Sequence, residues 1–155
     1  MFIDWYGLDA GWFYPLERSA RRRYRRRLAV EHQPTVLIYR LRELDVPGDG
    51  KHDLSIAFYK SPPYNTFGRR PEDSPRVHSS VRRDSKHRMP SDDALCLWFP
   101  HDPPARKWES GQGLLVLIEI AARHLLFERH WLETGGHRGG VWPVEDAPHG
   151  FQETG

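Results

Sequence analysis

The stretch SGQGLLVLIEIAARHLLFERHW, residues 110–131, carries the clearest structural signal in this 155-residue chain. Its apolar residues recur three or four positions apart, the spacing of one face of an α-helix: Leu114, Leu117, Ile118, Ala121 and Leu125. Ser110 can cap the first turn, and the glycines from Gly135 onward end the pattern. The sequence therefore predicts a helix over about 111–131 that buries one face in a core.

Three segments that precede this helix have the composition of β-strands. Residues 35–44 are rich in β-branched and aromatic side chains, residues 53–59 alternate in polarity, and residues 76–81 form a shorter candidate. Pro47-Gly48-Asp49-Gly50 is a turn signal between the first two segments. Consecutive strands with short connections predict an antiparallel sheet of three or four strands built from 35–82.

A further helix is predicted over residues 15–32, before the sheet. Pro15 suits a first helical turn, and Pro34 prevents extension beyond Gln33. Its apolar residues recur every four positions and form one stripe: Leu16, Ala20, Tyr24 and Leu28. The fold class expected is α+β in a single domain over 1–155, with helices flanking the sheet and an irregular tail from about 135 to 155.

Seven arginines lie between Arg18 and Arg27, on the polar side of the predicted first helix. They can bind the phosphates of nucleic acid, or they can form a solvated or protein-docking face. The formal net charge of the chain is only +2, which favours the second interpretation and makes nucleic acid the less expected partner.

Composition limits the class of protein. The 19 aromatic residues indicate a packed fold, although only 38% of residues are hydrophobic. The N-terminus has no basic region followed by an apolar stretch, and the longest apolar run, residues 114–118, is far shorter than a membrane span. The expectation is a soluble cytoplasmic protein that does not enter a membrane.

Cys96 is the only cysteine in the sequence, so an internal disulfide cannot form within it. A lone cysteine flanked by leucines is either a small core residue or a nucleophile. His87 precedes it by nine residues and Trp108 follows it by twelve, with polar segments on both sides. A reactive thiol needs such a polar, accessible setting, and this favours the nucleophile.

The order of a histidine, a polar loop, Leu95-Cys96-Leu97, a tryptophan and a helix resembles the active-site stretch of ubiquitin-conjugating (E2) enzymes. Ser61-Pro62-Pro63-Tyr64 resembles the proline-rich stretch that follows the third strand of that fold. The tail, with Trp142-Pro143, Glu145 and Pro148-His149-Gly150, is similar to that of bacterial E2-like proteins of cyclic-oligonucleotide antiphage defence (CBASS) operons.

The resemblance implies an N-terminal helix, an antiparallel meander, a cysteine on an extended segment and a helix after it. It implies that Cys96 carries the C-terminal glycine of a partner protein as a thioester and transfers it to an amine. The partner would be a cGAS-like nucleotidyltransferase or a ubiquitin-like protein, with an E1-like enzyme as a possible activator. Candidate catalytic residues are Cys96, His87, Asp93 and His101, with Asp92 and Asp102 as further carboxylates.

The sequence departs from the family at one catalytic position. The family motif reads His-Pro-Asn, whereas Arg88-Met89-Pro90 follows His87, and Asn65 is the only asparagine in the chain. Backbone N–H groups, His87 or another side chain would then stabilise the oxyanion. An inactive E2-like scaffold and an arginine-rich nucleic-acid-binding module with a structural Cys96 remain the alternatives.

No cofactor or metal is expected from the sequence. Nine histidines are present, but none forms a compact ligand pattern with Cys96, and His124 and His130 are six residues apart. A Gly-x-Ser-x-Gly elbow and a glycine-rich phosphate loop that opens a helix are both missing from the sequence.

Overall fold

Two helices and a four-stranded antiparallel sheet form the fold in the computed structural model, which describes residues 5–99 and 102–144. The elements follow in chain order: α1 (Ala10–Tyr24), β1 (Leu28–His32), β2 (Val36–Val46), β3 (Gly50–Tyr59), β4 (Arg76–Ser79) and α2 (Leu114–Glu133). The α+β class and the order of helix, sheet and helix are as the sequence predicts. No helix among the described residues is long and apolar enough to cross a membrane.

The sheet is a meander whose strand order is β1-β2-β3-β4. The predicted turn at 47–50 lies between β2 and β3, and Asp49 donates its N–H to Val46 O at 2.9 Å. A bulge shifts the register between Leu41 and Leu44, where Glu43 has a φ of 55°. The Glu43 N–H donates instead to the Asp53 side chain at 2.9 Å, so this N–H stays paired within the bulge.

The core lies between one face of the sheet and the two helices. Alternate residues of β2 and β3 fill this face because side chains of a strand alternate between its two sides: Leu37, Tyr39, Leu41, Leu54, Ile56 and Phe58. The apolar stripe of α2 that the sequence predicts is fully buried against them. Trp108 is also buried, and its Nε1–H donates to Gly113 O at 2.9 Å just before α2.

The first helix differs from the prediction at both ends. It begins at Ala10, where the Asp9 side chain accepts the Gly11 N–H at 2.9 Å, and Pro15 lies inside it. It ends at Tyr24, and the predicted C-terminal part of the 15–32 helix is wrong because residues 28–32 form β1. The four-residue apolar spacing continues into β1 by coincidence, since pairing with β2 decides the conformation there.

The second helix is close to the prediction of 111–131 but begins at Leu114. Ser110 does not cap it; a short 3₁₀ helix over Ser110–Gln112 comes first, with Glu109 and Gln112 in a reciprocal capping box. The predicted strand at 35–44 corresponds to β2 (Val36–Val46), and the one at 53–59 corresponds to β3, which begins earlier, at Gly50. The predicted strand at 76–81 corresponds to β4, which ends at Ser79.

Candidate active site around Cys96

Cys96 and His87 lie on the two arms of one hairpin. The Cys96 N–H donates to His87 O at 2.9 Å, and the Met89 N–H donates to Ala94 O at 2.8 Å. The nine-residue spacing between the histidine and the cysteine is therefore the length of this hairpin. Both side chains line the same cleft.

Two aspartates close the turn of the hairpin. The Asp92 side chain accepts the Ala94 N–H at 3.1 Å, which is the local bond that favours aspartate in turns. Asp93 has a φ of 64°, a left-handed conformation that aspartate tolerates better than most residues. These residues form the turn because of their local chemistry, and the turn sets the register of Cys96.

One side of the hairpin is attached to the edge of the sheet. The Leu95 N–H donates to Val77 O of β4 at 2.8 Å. Arg76 donates twice to the Asp92 carboxylate, at 2.9 and 3.1 Å. Burial alone would raise the pKa of Asp92, but the Arg76 hydrogen bonds and the Ala94 N–H hold it below its usual value.

The other side of the hairpin is attached to α2 by a buried ion pair. Arg88 donates through Nε and Nη2 to the two oxygens of Glu128, both at 2.8 Å. Its Nη1 donates to Val81 O and to the Asp93 carboxylate, also at 2.8 Å. Burial alone would raise the pKa of Glu128, but the hydrogen bonds from Arg88, together with the proximity of His124, lower it to about 2.

A second layer of charges supports this pair. Arg83 lies 3.4 Å from Glu128 and also donates to the buried Asp49 carboxylate in the β2–β3 turn. Asp49 accepts further hydrogen bonds from His52 and Arg129, both at 2.7 Å. The network joins the sheet, the hairpin and α2, so the position of Cys96 depends on groups that never touch it.

The cleft beside the hairpin has a volume of about 390 Å³ and is open to solvent. Cys96 is partly exposed in its wall. Apolar side chains form part of the lining: Leu97, Trp98, Phe99, Ile120, Phe127, Trp142 and Val144. Among the described residues, the charged side chains of the lining are Arg106, Lys107, Arg123 and Asp102, so most of them are cationic.

Two imidazoles and one indole meet on the wall of this cleft. The rings of His87 and Trp142 are 4.5 Å apart, and His124 lies 5.4 Å from the same indole and 6.5 Å from His87. His124 is buried, and its Nε2 lies 3.3 Å from Glu128 without the alignment of a hydrogen bond. The cleft thus holds a thiol and two imidazoles, the groups required for nucleophilic attack and proton transfer.

The predicted site residues have different positions. Cys96 and His87 line the cleft together. The Asp93 carboxylate binds Arg88 instead and is not among the residues that line the cleft. Asp102 lines the cleft and accepts the Phe99 N–H at 2.9 Å. His101, like the tail residues Glu145 and Pro148-His149-Gly150, lies outside the described residues.

Three residues of the site are not predicted from the sequence: His124, Glu128 and Arg88. A signal for the first two was available, because His124 and Glu128 continue the spacing of the buried α2 stripe that contains Ala121 and Leu125. A polar residue on an apolar stripe needs a partner in the core. No comparable signal marks Arg88, which lies in a segment rich in charged residues.

The asparagine that is missing from the motif is not supplied by Asn65. That side chain lies in the loop after β3, where it accepts the Phe67 N–H at 2.8 Å, and it does not line the cleft. Within residues 5–99 and 102–144, no group of three or more His, Cys, Asp or Glu side chains is arranged to hold a metal ion.

Comparison of the chain with protein-family models, with curated proteins and with solved structures gives no match.

Proposed function

We propose that the protein is an E2-like conjugating protein in which Cys96 carries an acyl group as a thioester. The observation that carries the proposal is the pairing of Cys96 with His87 across one hairpin, with both side chains in the wall of an open cleft. A thiol that is partly exposed beside an imidazole suits covalent catalysis, whereas an inert core cysteine would be buried.

The order of elements supports the resemblance on which the proposal rests. An N-terminal helix precedes a four-stranded antiparallel meander, and the cysteine segment lies between the last strand and the second helix. Ser61-Pro62-Pro63-Tyr64 follows β3, where the family has its proline-rich stretch. Because fold alone does not define an activity, the hairpin and the cleft are the stronger support.

The proposed reaction has two acyl-transfer steps. The Cys96 thiolate attacks the activated C-terminal carboxyl of a partner protein, an S–C bond forms, and the activating group leaves. An amine then attacks the thioester carbonyl, an N–C bond forms, and the thiolate leaves with its electron pair while the amine loses a proton. Thiolate serves both steps because it is a strong nucleophile and a good leaving group.

His87 and His124 are the imidazoles that can accept the proton of the attacking amine. The cationic side chains Arg106, Lys107 and Arg123 suit the negative charge of the tetrahedral intermediate, since the family asparagine is missing. Asp93 supports the site through Arg88 rather than by contact with the cleft.

The acyl donor in this proposal is a cGAS-like nucleotidyltransferase or a ubiquitin-like protein, activated by an E1-like enzyme, in cytoplasmic antiphage (CBASS) defence. The test is co-expression with the neighbouring genes, followed by non-reducing and reducing gels and mass mapping of any adduct. The proposal expects a thiol-sensitive adduct whose linkage maps to Cys96. An adduct that maps to a lysine and persists in Cys96→Ala would contradict it.

A further inference from the structure

The C-terminal end of α1 presents arginines that take no part in the Cys96 site. We call Arg22, Arg23, Arg25, Arg26 and Arg42 the basic surface; all five are exposed. The first four lie at or just after the end of the helix. Arg42 of β2 joins them because its Nη2 donates to Arg26 O at 3.4 Å.

These five guanidinium groups form no ion pair with a carboxylate among residues 5–99 and 102–144. Neighbouring arginines behave differently, since Arg21 pairs with Glu17 at 2.6 Å and Arg40 pairs with Glu31 at 3.2 Å. Like charges at adjacent positions repel one another and favour a partner that supplies negative charge.

The backbone at Arg25 does not favour an arginine at that position. Arg25 has φ 50° and ψ −121°, a positive-φ conformation that glycine adopts more readily than a residue with a side chain. Positions that break a local rule of this kind are often retained for a function.

The chemistry of the basic surface favours nucleic acid over protein as its macromolecular partner. Protein interfaces have an apolar or aromatic centre, whereas Tyr24, the aromatic residue between these arginines in the sequence, is buried with the Arg23 guanidinium 5.7 Å from its ring. Phosphate groups bind guanidinium through charge-assisted hydrogen bonds without apolar contacts. Single-stranded nucleic acid also requires aromatic groups for base stacking, and Tyr14, the exposed tyrosine of α1, lies two turns away from Arg22.

We infer that the basic surface binds the phosphate backbone of duplex nucleic acid without reading its sequence. The sequence alone favours a protein-docking face because the net charge is low. The unpaired arrangement of the arginines concentrates positive charge locally and reverses that preference. The inference does not depend on the proposed activity of Cys96.

The test is fluorescence anisotropy with two short labelled duplexes of unrelated sequence, titrated with the full chain between about 50 and 200 mM salt. The expected result is equal affinity for both duplexes, with a slope of log affinity against log salt of about −0.9 per phosphate contact. Arg25→Gly and the double variant Arg22→Gln/Arg26→Gln should make the slope shallower, by about one and two contacts respectively.

Arg40→Gln is the matched control, because it removes an exposed but ion-paired arginine from the same sheet and should leave the slope unchanged. Circular dichroism of each variant checks that the fold is intact, and Arg25→Gly should fold at least as well as the wild type. Absence of duplex binding at the lowest salt would overturn the inference. If Arg40→Gln made the salt dependence of the affinity equally shallow, that would also overturn the inference. Binding of polyglutamate as tight as binding of duplex would overturn it as well and would identify a protein-docking surface.

Discussion

The backbone N–H of Cys96 donates a hydrogen bond of 2.9 Å to the carbonyl oxygen of His87. This bond sets the register of the two arms of the hairpin, and both side chains line one cleft. Arg88, the residue after His87, is bound to Glu128 of α2, so the helix and the hairpin hold this arrangement together.

Alkylation with iodoacetamide measures whether Cys96 is a reactive surface thiol. We expect the native protein to be labelled at Cys96, because the side chain is partly exposed in an open cleft. Trp142→Ala should raise the labelling rate several-fold, since the indole packs on His87 at 4.5 Å and lines the same cleft.

The control for this experiment is Val141→Ala, which alters the exposed neighbour of Trp142 and should leave the rate unchanged. Labelling that occurs only after denaturation would identify Cys96 as an inert core residue.

Substitution of Glu128 tests the buried network. Glu128→Gln should lower the free energy of unfolding at neutral pH by about 3–5 kcal/mol, because it leaves the Arg88 charge buried with a weaker partner. Urea denaturation measures this change. Glu119→Gln, an exposed position on the same helix, is the matched control and should change stability by less than about 0.5 kcal/mol.

The same residue predicts a pH dependence of stability. The pKa of Glu128 is about 2 in the folded state and is raised toward 4.5 on unfolding. Its contribution, about 3 kcal/mol, is therefore present above about pH 4.5 and is lost as the pH falls toward 2. Melting curves of wild type should lose stability over this interval, and Glu128→Gln should lose correspondingly less; parallel curves would show that Glu128 does not titrate there.

Substitutions of two hairpin residues, Asp93 and His87, should distinguish a role in stability from a role in catalysis. Asp93→Asn should reduce the free energy of unfolding by about 1.5–3 kcal/mol, because its carboxylate accepts from the charged Arg88, while the rate of thioester discharge stays close to wild type. His87→Gln should leave stability nearly unchanged and slow discharge by about 10²-fold if its imidazole moves the proton. Single-turnover discharge of a preformed adduct to free lysine gives both rates, and a slower rate for Asp93→Asn than for His87→Gln would reverse these roles.

The apolar periodicities predicted much of the fold because they report burial directly. The α2 stripe, the β3 alternation and the turn at 47–50 depend on local sequence, and the structure retains all three. The boundary between α1 and β1 was wrong because residues such as Leu28 satisfy a helical spacing and a strand spacing equally well. Pairing with Leu41 of β2, which lies far away in the sequence, decides between them.

The site was predictable only where its geometry is local. His87 and Cys96 are joined by one short hairpin, and their spacing in the sequence is the length of that hairpin. The contact of Arg88 with Glu128 spans 40 residues and depends on how α2 packs, so no local pattern reveals it. Trp142 is brought to the cleft from the tail by the glycine-rich turns that follow α2, whose glycines predict only the end of the helix.

The most direct test of Cys96 as the acyl carrier is the intact mass of wild type and of Cys96 variants after incubation with an activated partner protein. Wild type should gain the partner's mass through a bond that excess thiol breaks, because a thioester exchanges readily with thiols. Cys96→Ser should give a thiol-resistant oxyester or no adduct, and Cys96→Ala should give none while it retains the wild-type fold. A thiol-resistant adduct on wild type that Cys96→Ala forms equally well would contradict the claim that Cys96 is the acyl carrier.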